Sequence, residues 1–246
     1  MVKRYMIIIA IGCSLFCVTL ITNVNRNKPR VVFCNVGQGD GIYIRTPNGS
    51  DIIIDAGPNQ RIVDCMARHM PFFDTDIEMV IITHHDHDHD GGLPFIQARY
   101  RVKKLLDNTS LKTGDRITAE DLTLTVLYPD HIVKTNTSNN NGVILLLQSK
   151  HTNVLFLADV DVSFSEPAIK TYGIYPTIHI LKVSPHGSRY GTSTSLLQYL
   201  RPTRAIISAG KNNQYGHPHP ETLQKLSNLG ITVIEINKTG DYEYML

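Results

Sequence analysis

Residues 83 to 92 read Thr-His-His-Asp-His-Asp-His-Asp-Gly-Gly and follow directly on the apolar run of residues 79 to 82. The apolar run predicts a buried strand, because a short continuous apolar segment is typical of a strand covered on both faces. Such a strand would deliver several imidazoles and carboxylates to one place, and these groups together bind divalent metals well. The two glycines then let the backbone turn sharply. The alternative is a solvated, histidine-rich surface loop.

Spacing within this stretch divides its side chains into sets. On an extended loop, residues two apart point the same way, so His84 and Asp86 could share one metal ion. Asp88 and His89 are adjacent, and the loop would turn them toward a second ion as it enters the following helix. The remaining three side chains are expected to be exposed and polar: His85, His87 and Asp90.

The pattern His-x-Asp-x-Asp-His-x-Gly-Gly resembles a motif of the metallo-β-lactamase superfamily. In that motif the position of Asp86 is more often occupied by His. Asp at that place is similar to the competence-protein branch, the extracytoplasmic hydrolase domain of ComEC-like DNA-uptake proteins. Four further segments resemble this branch in matching order: residues 33–40, 52–57, 181–188 and 210–220. The resemblance runs from about residue 31 to the C-terminus, so it is far more specific than any one motif.

The order of predicted elements is neither all-β nor doubly wound. Early strands over residues 31–36, 41–46 and 51–55 read as hairpins, and Pro-Asn-Gly at 47–49 is a hairpin signal. Strands and helices then alternate: a helix over 60–70, a strand over 178–183, and helices over 193–200 and 220–229. This order suits an αββα sandwich, two packed sheets with helices outside. The resemblance implies the same four-layer metallo-β-lactamase-type fold, with metals held by loops at one edge.

Two apolar strands end in further candidate ligands. Asp159 ends the apolar segment 155–158, where a helix N-cap is the plain alternative. The resemblance implies that this carboxylate bridges both metals. His186 follows the strand at 178–183, and the relatives have two successive histidines where this chain has Pro185 and His186. If the family ligand is the first of the pair, the chain has lost it; we expect His186 to serve. The complete predicted metal set is His84, Asp86, Asp88, His89, Asp159 and His186.

Candidate catalytic residues are Asp88, His217 and His219. Pro218 and Pro220 restrict the backbone around the two histidines, so the imidazoles are expected to be held in place. Either could protonate a leaving oxygen or hold a substrate phosphate. The alternative is a helix-entry loop that His219 caps.

Residues near these ligands are expected to support them. Asp55 is expected to orient a ligand, and Asp40 either does similar work or shapes a turn. The asparagines at 139–141 resemble an Asn-rich family motif beside the site, with a simple polar turn as the alternative. Lys182 and other basic residues are candidates to bind phosphates, with ordinary surface charge as the alternative.

The chain divides into residues 1–29, an N-terminal signal or anchor segment with its linker, and residues 30–246, one hydrolase domain. Lys3 and Arg4 precede the apolar run of residues 6–21, the arrangement of a secretory signal or signal anchor. We expect an uncleaved anchor with the domain extracytoplasmic. A buried core helix is the alternative, but the polar linker of residues 23–29 counts against it.

Cysteine usage and charge add little about function. Cys34 on a predicted strand and Cys65 on a predicted helix are expected to be buried free thiols, with a disulfide as the alternative. Since the chain has no Cys-x-x-Cys pair, a thiolate zinc site is not expected. The formal net charge of +2 argues neither for nor against a nucleic-acid partner.

The chemistry predicted from these residues is hydrolysis by a hydroxide that two divalent metal ions activate. Three carboxylates among the predicted ligands make manganese plausible alongside zinc. The resemblance implies a phosphodiesterase or nuclease that acts on DNA. The alternatives are a hydrolase of a small phosphoester or lactone, and a surface-tethered binding module whose metal site has decayed at Pro185.

Overall fold

The computed structural model of the chain describes residues 5–7, 9–14, 26–119, 121–130, 137–173 and 177–246. Within the predicted anchor run, residue 8 and residues 15–21 lie outside the described residues. Among the described residues, no helix combines the length and the hydropathy needed to cross a bilayer. Residues 9–14 are helical and exposed.

Fifteen strands and seven α-helices make up the described part of the domain. The strands are β1 (Arg30–Phe33), β2 (Gly41–Arg45), β3 (Asp51–Ala56), β4 (Asp76–Ile77), β5 (Met79–Ile82), β6 (Arg101–Val102), β7 (Leu105–Asp107), β8 (Arg116–Ala119), β9 (Leu122–Tyr128), β10 (Ile144–Gln148), β11 (Asn153–Phe156), β12 (Ile180–Lys182), β13 (Arg204–Ile207), β14 (Thr232–Glu235) and β15 (Tyr242–Met245). The helices are α1 (Arg61–His69), α2 (His87–Asp90), α3 (Leu93–Arg99), α4 (Val162–Tyr172), α5 (Thr194–Leu200), α6 (Pro220–Asn228) and α7 (Ile236–Thr239), with a 3-10 turn at Asn139–Asn141.

Two mixed sheets carry the architecture. The first has the order β15-β1-β2-β3-β5-β7, and the second has the order β14-β13-β12-β11-β10-β9-β8. In the first sheet β3, β5 and β7 run parallel, while β15, β1, β2 and β3 pair antiparallel. In the second sheet β11 to β14 run parallel and β8 to β11 pair antiparallel. The predicted α/β architecture with two sheets is therefore confirmed.

Three apolar clusters show how the layers pack. One cluster lies between the sheets and joins residues such as Phe33 of β1 to Phe156 of β11, whose rings are 6.0 Å apart. A second cluster packs helices against the outer face of the second sheet, with Ile169 and Leu226 among its members. The third packs Met66 of α1 against the outer face of the first sheet. Because the central strands, such as β5 and β10, are covered on both faces, they read as continuous apolar runs.

The two domain cysteines form a disulfide. Cys34 and Cys65 are both buried, and their Cα atoms are 5.8 Å apart, within the range that a disulfide spans. The expectation of free thiols is therefore wrong. The sequence does not show which parts of the chain meet, and here the loop after β1 lies directly on α1. The bond ties residues 34–40, which lead to Asp40, to the helical layer.

Candidate metal centre

The candidate centre lies where parallel strands end. In the first sheet, β3 leads to Asp55 and β5 leads to His84. In the second sheet, β11 leads to Asp159 and its parallel neighbour β12 leads to His186. Since the carboxyl ends of parallel strands meet at one edge, segments far apart in sequence deliver their polar side chains to the same place.

Four of the six predicted ligands form one tight group: Asp88, His89, Asp159 and His186. One ligand atom from each lies within 4.8 Å of the others. Nε2 of His186 is 3.0 Å from Oδ2 of Asp159 and 3.2 Å from Oδ2 of Asp88, and Nε2 of His89 is 3.5 Å from Oδ2 of Asp159. Three of these side chains are buried, and Asp88 alone is partly exposed. This geometry gives the group one accessible side.

The other two predicted ligands lie next to this group without joining it. The ring of His84 is 4.0 Å from that of His89, and its Nε2 is 3.6 Å from Oδ2 of Asp86. Asp86 is partly exposed and accepts a hydrogen bond of 2.9 Å from Ser138. The centre is therefore asymmetric, with four converging groups on one side and two on the other.

The candidate ligand atoms face one another without well-formed hydrogen bonds. Nε2 of His84, His89 and His186 and Oδ1 of Asp159 are buried without such a bond, although Nε2 of His89 and of His186 lie 3.5 and 3.0 Å from Oδ2 of Asp159. Buried polar atoms are normally hydrogen-bonded, so several unpaired atoms that face one another need an explanation. Imidazole nitrogens and carboxylate oxygens together are the ligands that zinc and manganese prefer. The residues present fit a divalent metal ion.

Asp55 fixes the orientation of His89. Its Oδ2 lies 2.8 Å from Nδ1 of His89, and its carboxylate also accepts from the amide and hydroxyl of Thr83, at 2.7 and 2.8 Å. These bonds leave Nε2 of His89 directed at Asp159. Carboxylates that hold the outer nitrogen of a metal-binding histidine are typical of metal sites. The left-handed backbone of Asp55, with φ of 58°, turns the side chain inward.

Lys182 is buried within the centre, so the alternative of ordinary surface charge is wrong for this residue. Its Nζ forms an ion pair with Asp40, lies 3.7 Å from Oδ1 of Asp159 and donates to the carbonyl of Ala158. Oδ1 of Asp40 is also 3.5 Å from Nδ1 of His186. The position of Lys182 at the end of a core strand points the long side chain between the sheets, which charge counting could not reveal.

Gly39 allows the loop that carries Asp40 to lie close to α2, the helix that carries Asp88 and His89. The amide of Asp40 donates to the carbonyl of Asp88, 3.1 Å away. A Cβ atom at Gly39 would lie 2.0 Å from that same carbonyl oxygen, and φ there is +120°. A side chain at position 39 would therefore push the loop away from α2.

The carboxylates of the centre favour a positive charge among the four converging side chains. Burial alone would raise the pKa of Asp159, but His186 and His89 attract the anion and hold this pKa well below its usual range. Burial lowers the pKa of His186, yet Asp159 outweighs it and raises the pKa to about 10. The carboxylates thus attract positive charge strongly, whether protons or a divalent ion supply it.

The two candidate catalytic histidines differ in their surroundings. Nδ1 of His219 accepts a hydrogen bond of 3.1 Å from the amide of Arg189, and His219 precedes α6, as a helix-entry residue would. Nδ1 of His217 is buried and unpaired. Burial, together with repulsion by His186 and His219, lowers the pKa of His217 to about 4. His217 is therefore neutral near pH 7.

The remaining predicted residues fall into place around the loop. His85 and His87 are exposed as expected, while Asp90 is half-buried and lies 3.2 Å from His85. Asn140 accepts from the amide of Asp161 and donates to its carboxylate, so it organises the turn after Asp159. The ligand and catalytic roles themselves stay predictions.

Some proteins resemble this chain in sequence, and others resemble it in fold alone. ComE operon protein 3 of Bacillus subtilis is 26% identical, over 98% of this chain and 36% of that protein. Recombination protein 2 of Haemophilus influenzae is 28% identical, over 87% of this chain and 29% of that protein. The chain thus spans about a third of the length of these relatives. The solved structure of Igni18, a metallo hydrolase from the archaeon Ignicoccus hospitalis, matches with a TM-score of 0.60 at 14% identity, over 88% of this chain and 99% of that one.

A family model assigns the chain more directly. The model described as the metallo-beta-lactamase superfamily matches residues 34–211, which include every predicted metal ligand. The two mixed sheets and the buried His/Asp group at their edge agree with this match. The chain therefore belongs to the metallo-β-lactamase superfamily, with distant relatives among the competence proteins.

Proposed function

We propose that this chain is a metal-dependent phosphodiesterase that cleaves DNA, with zinc or manganese as its cofactor. The observation that carries the proposal is the convergence of Asp88, His89, Asp159 and His186, with ligand atoms within 4.8 Å of one another. These four polar groups come from three distant segments, and burial of apolar surface does not explain why they converge. Their unpaired atoms favour a cation between them.

Each residue has a definite part in this proposal. The group of four would hold one ion, and His84 and Asp86 would hold a second beside it. We assign Asp159 to both, because its Oδ2 faces the group of four and its charge acts on His84. Divalent ions in such a pair activate water and neutralise charge on a phosphoryl group. Asp88, the partly exposed ligand, lies where substrate would enter.

His217 is the better candidate to move a proton. Its Nδ1 has no hydrogen-bond partner among the described residues, so it is free to exchange a proton with the leaving oxygen. His219 is engaged with the amide of Arg189 and acts instead as a positioning residue for the loop.

DNA as substrate and an extracytoplasmic location rest on two further observations. The relatives named above are a competence-operon protein and a recombination protein. The Cys34–Cys65 disulfide is typical of an oxidising compartment outside the cytoplasm. We therefore propose that the domain works outside the cytoplasm, held at the membrane by the N-terminal segment.

The test is hydrolysis of linear DNA and of bis(4-nitrophenyl) phosphate with added manganese or zinc. Wild-type protein should cleave both, and Asp88→Asn should abolish turnover while the circular dichroism spectrum is unchanged. Asp90→Asn, on the same short helix but with its carboxylate turned to His85, is the matched control and should keep activity. Full activity of Asp88→Asn would refute the assignment.

The same assay separates the alternatives. Cleavage of bis(4-nitrophenyl) phosphate or a choline ester without cleavage of DNA would indicate a small-phosphoester hydrolase. A chain that holds no metal and cleaves nothing would be a binding module. The position of His186 within the group of four counts against decay, because Pro185 does not displace the imidazole from the centre.

A further inference from the structure

One exposed aromatic side chain lies close to the candidate centre. Tyr215 is 55% exposed, and one face of its ring stacks on His217, with centroids 5.6 Å apart and planes inclined by 23°. His217 in turn meets the ring of His219 edge-on at 4.8 Å. The stack therefore presents the outer face of Tyr215 to solvent, while its inner face is supported by the histidine that we propose moves a proton.

Asn213 holds this tyrosine in a preformed loop. The Asn213 amide donates to the carbonyls of Gly210 and His217, at 2.9 and 2.6 Å. Its Oδ1 accepts from the amides of Tyr215 and His217, at 3.1 and 2.9 Å. A single side chain thus closes both ends of the turn. A ring fixed in this way loses little conformational entropy when a planar group stacks on it.

The loop lies directly against the segment that carries His186. The amide of His219 donates to the carbonyl of Gly187, 3.0 Å away. A Cβ atom at Gly187 would lie 2.7 Å from Cβ of Pro218, so the two loops pack closely. A molecule that stacks on Tyr215 would therefore lie close to the segment that carries His186, a proposed metal ligand.

Cationic and polar groups accompany the ring. Lys211 is exposed, and no carboxylate of the described residues forms an ion pair with it. It lines a cavity of about 610 Å³ together with His217 and Asn237. Nδ1 of His217 and Oδ1 of Asn237 are buried there without hydrogen-bond partners. The surface thus offers the π-face of Tyr215 and the exposed ammonium of Lys211, and the Glu235–Lys238 ion pair lines the same cavity as Lys211.

We propose that Tyr215 is a stacking subsite for an unpaired base of single-stranded DNA, with Lys211 beside the flanking phosphate. This inference rests on the proposed function and adds the form of the substrate. Aromatic side chains bind single strands by stacking on the bases, which a duplex keeps stacked on one another. A choline headgroup could also meet a tyrosine face, but the unpaired Lys211 would repel it.

Fluorescence anisotropy of labelled oligonucleotides tests the subsite. The purified full chain, with its metal, is titrated into phosphorothioate oligothymidine of about twelve nucleotides, whose linkages resist hydrolysis, and into a duplex of the same length. Wild type should prefer the single strand. Tyr215→Ala should weaken single-strand binding about tenfold, and Tyr215→Phe should stay within about twofold of wild type. Tyr199→Ala, which removes an exposed tyrosine of α5, should have no effect.

A tryptophan reporter gives a second readout. The chain contains no tryptophan, so Tyr215→Trp introduces a single indole whose fluorescence a stacked base should quench. Tyr199→Trp is the control and should not respond. Unchanged binding by Tyr215→Ala, equal affinity for duplex, or an indole that fails to respond in Tyr215→Trp would overturn the inference. If unmodified DNA is still cleaved in that case, the proposed function stands. If the base stacks and no phosphodiester is cleaved, the proposed function fails and the subsite stands.

Discussion

Single side chains decide whether the centre can hold a cation. Asp55 makes no contact with the middle of the group, yet it holds His89 and the Thr83 amide at once. Lys182 contributes a permanent positive charge between Asp40 and Asp159. The candidate ligands therefore lie in a buried network of charged groups. Because the local dielectric constant is low, adding or removing one charge changes the interaction energies of the others strongly.

Asp55→Asn should weaken metal binding without unfolding the protein. Asparagine tolerates the left-handed backbone at this position but lacks the charge that holds Nδ1 of His89. Loss of such an outer partner typically costs about 10- to 100-fold in metal affinity. Competition with a fluorescent zinc chelator measures the change, with Asp90→Asn as control. Equal affinity in wild type and Asp55→Asn would show that His89 needs no such partner.

Lys182→Met should destabilise the fold, because it leaves the buried Asp40 carboxylate without its partner. Breaking a buried pair on one side typically costs about 3–5 kcal/mol of unfolding free energy. The double variant with Asp40→Asn should recover part of this loss, since neither charge then remains alone. Urea denaturation of the two single variants and the double variant measures the coupling. Additive losses would mean that the two side chains do not interact.

The sequence predicted the convergence of the candidate ligands and the support from Asp55, but not the buried position of Lys182. The cluster from His84 to His89 is local, so spacing alone was enough to single it out. Lys182 looked like surface charge because its burial depends on how β12 packs between its neighbours. The Cys34–Cys65 bond also depends on a contact between the loop after β1 and α1 that periodicity cannot show. Both of these features depend on contacts between distant segments.

At the level of elements, β15 closes one edge of the first sheet and returns the C-terminus to β1. Asp241, just before β15, lies 2.7 Å from Arg68 and 3.2 Å from His69, both at the end of α1. Its carboxylate also accepts from the amide of Asn35. This one side chain therefore ties the last strand to a helix and to the loop that leads to the centre.

Asp241→Asn should lower stability by about 1–2 kcal/mol at pH 7, a figure reduced from the full pKa difference because Arg68 is exposed. Burial raises the pKa of Asp241, but His69, the Asn35 amide and Arg68 outweigh it and lower it to about 2. The stabilisation is therefore present above the ordinary value of 3.8 and is lost as the pH falls toward 2. Denaturation at pH 7 and near pH 2.5 should show the difference shrinking, and Asp64→Asn is the control. A difference that persists at the lower pH would exclude this ionic origin.

Elements with a clear apolar pattern were predictable, including the short strand β5, whereas elements that lack such a pattern were not. The helices over α1 and α6 and the core strands match the expected ranges to within a few residues. α4 was missed, since Pro167 lies within it and proline normally interrupts a helix. β15 was missed because four residues at a chain end carry too little pattern, and its place depends on pairing with β1.

At the scale of the whole molecule, the disulfide bears on the stability of the fold and on the compartment in which we propose that the protein works. It joins residues 31 positions apart and anchors the loop that carries Asp40. Closing a loop of this size typically stabilises a protein by about 2–4 kcal/mol, mainly by restricting the unfolded chain. The bond is expected to persist only where the surroundings are oxidising.

Replacing Cys34 and Cys65 together with serine should therefore lower the midpoint of urea denaturation, and reducing agent should do the same to wild type. In cells, the full chain should resist alkylation at these thiols unless it is first reduced. Ready alkylation in untreated cells would contradict the proposed extracytoplasmic location. The Cys13→Ser variant, which leaves the disulfide intact, controls for the exposed thiol outside the domain.

The metal content of the purified protein tests the central claim most directly. Wild-type chain, measured by plasma mass spectrometry after exposure to manganese or zinc and removal of free ions, should carry about two equivalents. His186→Ala should lose at least one of them, because it removes a member of the group of four. A wild-type chain without bound metal, or a His186→Ala variant with the same content as wild type, would contradict the account.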